Sequence, residues 1–487
     1  MGTKIQSANN SASEAAVEAP IEQTQEVASP ATRPATARLW QRRRLQIGAG
    51  TMIALAIIAV LANNLLASQY TPEGALRAYL SALQSGNASA AWNQVQVSAS
   101  ATNATATLTN QAALQAALAT AKPDFRSFDI TATSNVDANT AQIAVTFDTS
   151  KGTKQARFLV QRSGDKRFVI YPIWRVVLAP ALLTVTLPKG AAGVSVDGRS
   201  LALPPGKSTL AVLPLLHKVI FNSNSLLAQQ AVSVDAFLMG NQIVAYQPAL
   251  TDAGMAKVKA VVTEYLTNIC AKQTSDSPDA TTCPQATGAY LPYSGQWHLV
   301  GDPTEDLAIT SDADQNVSAI GHFQMYFAYP ENGVHGVRQV PAGGGYRAAL
   351  ILDGSNVTVG SVTKLDGLLA IQRPSGASDQ AAKDLVGKGF AQCAAISAET
   401  VANCPQAAPD VIIANVHWGL NGDPVSGSTV SYDGKTGLLT VHGTFSMSVS
   451  YTWFGNARSR SSYITAYDAS LFWDGQALQL ITIDGAN

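Results

Sequence analysis

The C-terminal half of this chain is written twice. Residues 251–367 and 378–487 carry the same signals in the same order at nearly fixed spacing. Each copy opens on an apolar helical face: Val258, Val261, Val262, Tyr265 and Leu266 in the first, and Ala382, Leu385, Val386 and Phe390 in the second. Each helix runs into a cysteine, and a second cysteine then opens Cys-Pro-Gln. These are Cys270 and Cys283-Pro284-Gln285, answered by Cys393 and Cys404-Pro405-Gln406. Trp297 and Gly301-Asp302-Pro303 are answered by Trp418 and Gly422-Asp423-Pro424, and Gly321, Phe323, Met325 and Tyr329 by Gly443, Phe445, Met447 and Tyr451. Asp353-Gly354 and Asp366-Gly367 return as Asp474-Gly475 and Asp484-Gly485. The shared residues are cysteines, turn formers and core types, so they form a folding set. They predict two copies of an α+β module, each one helix on a twisted antiparallel sheet.

The chain holds four cysteines, all in this half. Four cysteines permit three pairings. Only Cys270 with Cys283 and Cys393 with Cys404 explains why each copy keeps a pair. Each bond would close a loop of ~12–14 residues, worth about 3 kcal/mol in the chain-entropy model. Zinc prefers ligands at short spacing such as C-x₂-C. These spacings are long, and His298 and His322 fall opposite Gly419 and Thr444. No metal and no cofactor is expected.

The run Leu45–Ala67 carries no charge. At about 1.5 Å per residue, a helix of roughly 23 residues crosses the ~30 Å hydrocarbon core. Arg42, Arg43 and Arg44 abut its start, with Arg33 and Arg38 upstream. The N-terminus is therefore expected in the cytoplasm and residues after 68 outside, anchored in plasma-membrane lipid. A cleaved signal peptide would have a shorter apolar core and a shorter leading segment. The arginine triplet reads as topological charge rather than a twin-arginine export signal. Residues 1–44 have almost no large apolar side chain to offset ordering entropy and read as a disordered cytoplasmic tail. Cysteines on the outer side can keep their disulfides.

Of the 487 residues 13% are charged, about half the usual share, and Ser, Thr, Asn, Gln, Ala and Gly fill the surface instead. A net charge of −1 gives no field that would attract nucleic acid. The length asks for several cores.

Residues 71–178 open on Thr71-Pro72-Glu73, an N-cap, a proline at the first helical position and an acid at the positive helix end. Leu76, Tyr79, Leu80 and Leu83 then form one buried face, and Gly86 ends the helix. A weaker helix is expected over Gln111–Ala121, while Val95–Thr109 is low in complexity and carries no readable pattern. Ile143, Val145 and Phe147 alternate as in a strand. The stretches 157–162 and 167–171 flank Ser163-Gly164-Asp165-Lys166 as in a hairpin. With Ala91-Trp92 and the closing stretch Phe158–Trp174, this order resembles the nuclear-transport-factor-two-like superfamily, a cone of helices against a curved sheet. Some members are enzymes with acids and tyrosines in the cone. The resemblance therefore makes Tyr79, Asp124, Asp129 and Tyr171 conceivable pocket residues, although no spacing pairs them.

Residues 179–250 read as a small β module. Leu183–Leu187 leads to Gly193–Val196 and the Asp197-Gly198 turn, then to Leu203-Pro204-Pro205-Gly206 and Leu213–Val219. The pattern resembles surface-layer modules of the PEGA type, with Leu216 where the usual glycine precedes the histidine. His217 is expected to be structural.

There is no phosphate-cradling glycine loop, no H-E-x-x-H and no G-x-S-x-G elbow. Gly343-Gly344-Gly345 reads as a flexible loop, Arg458 and Arg460 as part of a solvated loop, and Asp302 and Asp423 as turn caps. The chain is thus expected to be an α+β multidomain protein. Its parts are a tail (1–44), a transmembrane helix (45–67), a cone-like domain (71–178), a β module (179–250) and two stapled repeats (251–367 and 378–487). The layout resembles the teicoplanin-resistance-associated (TcaA-like) membrane proteins, without the cytoplasmic zinc ribbon those carry. The resemblance implies a non-enzymatic bacterial envelope protein that binds cell-wall polymer, an antibiotic-like ligand or other envelope proteins. A span followed by a cone-like domain is also the layout of an inner-membrane subunit of conjugation and type IV secretion assemblies, the alternative expectation.

Overall fold

A computed structural model describes residues 69–98, 103–167, 171–247, 249–409 and 413–486. The expected tail and membrane span lie outside the described residues. Among the described residues no helix is long and apolar enough to cross a membrane. What is described is a sheet-rich α+β chain with several cores and two disulfides.

The first helix, α1 (Pro72–Gln84), is capped by the Thr71 side chain, which accepts from the Gly74 N–H, and it buries Leu76, Tyr79, Leu80 and Leu83 completely. With α2 (Ala88–Trp92) and α3 (Gln111–Thr120) it packs on a five-stranded sheet of order β1-β6-β5-β4-β3. Those strands are β1 (Val95–Val97), β3 (Ser127–Asp137), β4 (Thr140–Thr149), β5 (Gly152–Arg167) and β6 (Tyr171–Leu178). The hairpin turn expected at Ser163–Lys166 is not there. That segment stays inside β5, where Gly164 adopts φ 81° and the register slips between Arg162 and Lys166, so the extra residues are absorbed as a bulge.

The unreadable stretch after residue 95 turns out to serve two sheets. β1 closes the first sheet, whereas β2 (Ala106–Leu108) leaves it and pairs in parallel with β10 (Gly206–Val212) of the next. That next unit stacks two four-stranded sheets, β13-β7-β10-β2 and β12-β11-β8-β9. Here β7 is Ala181–Leu187, β8 Val194–Val196, β9 Arg199–Leu201, β11 Leu216–Phe221, β12 Gln230–Asp235 and β13 Gln242–Ala245. Residues 71–178 do not close their own core: Leu213, Leu215 and Phe237 from the following unit complete it.

The sequence repeat is a structural repeat. In the first copy, α5 (Asp252–Tyr265) runs through a wide turn to Cys270 and faces the sheet β14-β16-β17-β18 with β15 on β16. In the second, α6 (Asp379–Ala395) faces β19-β21-β22-β23 with β20 on β21. The strands are β14 (Gln296–Val300), β15 (Ala308–Ser311), β16 (Val317–Pro330), β17 (Val337–Asp353) and β18 (Asn356–Lys364), answered by β19 (Ile413–Leu420), β20 (Thr429–Asp433), β21 (Leu438–Trp453), β22 (Asn456–Trp473) and β23 (Leu478–Ala486). The repeated residues earn their places alike in both copies. Gln285 donates its amide to the Cys270 carbonyl at 2.8 Å, and Gln406 to Cys393 at 2.9 Å, so the Cys-Pro-Gln glutamine adds a side-chain donor to a helix-end carbonyl that also accepts from the Gln273 or the Ile396 backbone N–H. Trp297 and Trp418 donate Nε1–H to Ser275 and Ala398 carbonyls at 2.8 and 2.9 Å. The Tyr346 and Tyr467 hydroxyls donate to the carbonyls of Pro303 and Pro424 at 2.8 and 3.0 Å. Gly321 and Gly443 make room for them, since a Cβ would stand 2.9 and 2.7 Å from those hydroxyl oxygens.

Two expected loops are strands. Gly343-Gly344-Gly345 lies within β17, paired with Phe323 and its neighbours. A side chain at Gly343 would collide with the Thr436 carbonyl of the second copy, so glycine here serves close packing and not flexibility. Arg458 and Arg460 belong to β22, opposite Tyr451 and Val449. The copies meet at a small core of Val300, Phe472 and Ile481.

Candidate functional site

The core of residues 71–178, where the resemblance would put an open pocket, is occupied. Phe237 (in the short helix α4, Ala236–Met239) has its ring centroid 5.9, 5.4 and 6.0 Å from those of Phe125, Phe147 and Phe158. Tyr79 is fully buried under this cluster with its hydroxyl unpartnered, and burial pushes that hydroxyl well above the usual tyrosine range. The other three conceivable pocket residues do not join it. Asp124 is exposed and accepts from the Ser150 hydroxyl at 2.6 Å, Asp129 is exposed on β3, and Tyr171 stacks on Tyr70.

His217 is buried in the β module, and both ring nitrogens are engaged. Nδ1 meets the Asp197 carboxylate at 2.6 Å and Nε2 the Leu213 carbonyl at 2.7 Å. Asp197 also accepts from the Lys218 N–H at 2.9 Å and holds φ 53° ahead of Gly198, so this pair fastens the β8–β9 turn to β11.

Polar groups with unused capacity gather instead in a cleft of about 340 Å³ between the two repeats. One wall is the Gly301-Asp302-Pro303 corner. Gly301 sits at φ 68°, and a Cβ on it would be 3.2 Å from the Trp473 carbonyl oxygen, so the corner is pressed against the second copy. Asp302 spends one carboxylate oxygen on the Thr304 N–H and hydroxyl, at 2.8 and 2.7 Å. Next along the lining stands His322, its side chain only 5% exposed, with Nδ1 hydrogen-bonded to Asp306 Oδ2 and its backbone N–H 3.1 Å from Asp306 Oδ1. Burial pushes the Asp306 carboxyl up, but the two His322 hydrogen bonds and the imidazole charge outweigh it, leaving the group below the usual carboxylate range. The His322 Nε2 has no hydrogen-bond partner among the described residues.

The opposite wall comes from the linker and the second copy. Arg373 ties Nε to the Ala377 carbonyl and Nη1 to Asp379, each at 2.6 Å, while its buried Nη2 stays unpartnered. Gln324 leaves its buried Oε1 unpartnered too. Trp473, Pro303, Ile371 and Pro374 supply the apolar lining. Among the described residues no cluster of three His, Cys, Asp or Glu is placed to hold a metal ion.

Sequence reasoning missed this site because it searched the residues the copies share. The signal lay in their disagreement. Between the repeated Gly321 and Phe323 stands His322, where the second copy has Thr444; four residues past the repeated Asp302 stands Asp306, where the second copy has Gly427.

No family model and no curated protein matches the chain. A solved structure described as "Ntf2 like protein involved in plasmid conjugation" is similar over 39% of this chain and 78% of its own, at 10% identity and a TM-score of 0.12. A likeness at that score carries no argument about fold or function.

Proposed function

We propose that this chain is a non-enzymatic, membrane-anchored binding and scaffold protein on the outer face of a bacterial plasma membrane. The observation that carries the reading is the filled cone. Phe237 reaches in from the following unit, where a cone-type enzyme would need an open pocket with its acids and tyrosines converging. The cone is used for joining units: α3 contributes Ala113 to one core and Leu114, Ala117 and Leu118 to the other. The run Leu45–Ala67 and its arginine flank support the anchor and its direction. The serial layout expected from the sequence, which resembles that of the TcaA-like envelope proteins, supports the same reading.

The test is crosslinking of the full-length protein in its native membranes, followed by affinity capture and mass spectrometry. Recovery of wall-assembly proteins or wall polymer is the expected result. Recovery of a secretion ATPase with channel subunits would sink the proposal and favour a subunit of a conjugation-type assembly.

A further inference from the structure

We propose that the cleft between the repeats is a binding site for a neutral sugar of a glycan chain. This deepens the binding reading above and rests on it. The volume, about 340 Å³, is at the lower end of ligand pockets, which run from roughly 300 to 1,000 Å³. What selects the ligand class is the balance of groups left over. The free acceptors are the second Asp302 oxygen, the Glu305 carboxylate and Gln324 Oε1. Among the described residues the buried Arg373 Nη2 is a donor left without a partner. His322, with Nδ1 on Asp306, leaves Nε2 without a partner among the described residues, one more hydrogen-bonding point at the cleft. A ligand that satisfies this set must donate and accept at closely spaced points, as a polyol does with every hydroxyl. Trp473 is the aromatic residue of the lining, of the kind whose ring packs on the C–H face of a sugar.

Two other ligand classes fit less well. An anionic polymer would meet Asp302, Glu305 and Asp306, while the one arginine is already paired with Asp379. An ammonium ligand would suit the carboxylates but carries no acceptor for Arg373 Nη2. The site is single. At the matching positions of the second copy, Ser426, Gly427 and Thr444 replace Glu305, Asp306 and His322.

The experiment is isothermal titration of the full-length protein in lipid nanodiscs with four probes: an N-acetylglucosamine tetramer, maltotetraose, poly(glycerol phosphate) and tetralysine. The expected result is heat from a neutral oligosaccharide, weakened at least tenfold in Glu305→Ala and in His322→Ala and unchanged in Ser426→Ala. Glu305 is exposed and forms no ion pair among the described residues, so its variant keeps the fold if His322→Ala does not. The proposal is overturned if neither neutral glycan binds, if binding survives the Glu305 change at full strength, or if only the polyanion or only tetralysine binds. Failure here with wall-assembly proteins still captured by crosslinking would remove the sugar site and leave the scaffold reading standing.

Discussion

The two repeats share a fold and differ in what they do with its corners. Both hold a Gly-Asp-Pro corner under a tyrosine hydroxyl. In the first copy the corner glycine abuts Trp473 and Asp474 of the second; in the second copy a Cβ on Gly422 would meet nothing within 4 Å. Around the pressed corner the first copy has acquired Glu305, Asp306 and His322; around the open one the second keeps Ser426, Gly427 and Thr444. The long hairpins diverge likewise. The loop after β16 docks on the second copy, with the His335 N–H donating to the Thr400 carbonyl at 2.9 Å, whereas the β21–β22 turn leaves Phe454 70% exposed at φ 44°. A duplicated scaffold thus keeps its folding residues in both copies and differs at the corner where one copy presses on the other. That division makes the copies each other's control.

If the shared residues are a folding set, deleting the same one from either copy must cost about the same. The largest effect is expected from the tryptophans. Trp297→Ala and Trp418→Ala remove side chains that are 1% and 8% exposed, each together with a hydrogen bond, and should each cost about 3–5 kcal/mol. Denaturant unfolding of each variant reads this directly. A near-silent loss in one copy would break the equivalence.

The staples come next. Replacing both cysteines of a pair by serine, at 270 and 283 or at 393 and 404, should cost about 3 kcal/mol in either copy. The sequence separations, 13 and 11, differ too little for the logarithmic loop term to distinguish them. Melting of the two double variants with and without reductant checks it: each should keep one reductant-sensitive increment. A staple whose loss leaves the melting curve unmoved would show that its helix end is held by the remaining hydrogen bonds.

The tyrosines should cost less. Tyr346→Phe and Tyr467→Phe strand the buried Pro303 and Pro424 carbonyls, at about 1–3 kcal/mol each. Burial, joined in the first copy by the Asp306 and Asp302 charges, raises the Tyr346 hydroxyl above the usual range; Tyr467 is raised as well, by burial. A group raised in the folded state contributes its stability below the unfolded value of about 10 and loses it as pH climbs through and beyond that value. Stability should therefore fall above about pH 10 in the parent protein, and less steeply in each phenylalanine variant. Equal alkaline slopes in parent and variants would show that these hydroxyls titrate no differently when folded.

How much of this could be read from the chain itself depended on which kind of signal a feature leaves. The helix over 72–84 was legible because its cap, its proline and its 3.6-residue apolar face agree. The disulfides were legible because duplication selects one pairing. β2 left no signal, since Ala106-Thr107-Leu108 has no alternation and takes its conformation from β10, about a hundred residues on. The glycine run in β17 misled because a glycine demanded by a neighbour's backbone looks the same as one that loosens a loop. Phe237 gave no sign that it fills the core of the preceding unit, because its partners at 125, 147 and 158 lie far back along the chain. The cleft is the clearest case: each of its groups is unremarkable alone, and only the meeting of two copies makes a site.

The smallest effect is also the one that separates the copies. Asp306 sits below the usual carboxylate range, held there by His322 against the opposing effect of burial. A carboxyl depressed in the folded state contributes stability above its unfolded value, near 4, and loses that contribution as pH falls through the folded value. The first copy should therefore lose stability below about pH 4 through a group for which the second, with Gly427 and Thr444 in place, has no counterpart. Asp306→Asn should flatten the acid limb of the unfolding curve and leave the neutral plateau slightly lower. The decrement at neutral pH stays small because the Asp306 side chain is 34% exposed. The matching change in the second copy, Gly427→Ala, should leave the acid limb as it was, though φ 77° at that position makes the alanine cost stability at every pH. An acid limb unmoved by Asp306→Asn would place the acid sensitivity elsewhere and make the His322 pair an arrangement for ligand alone.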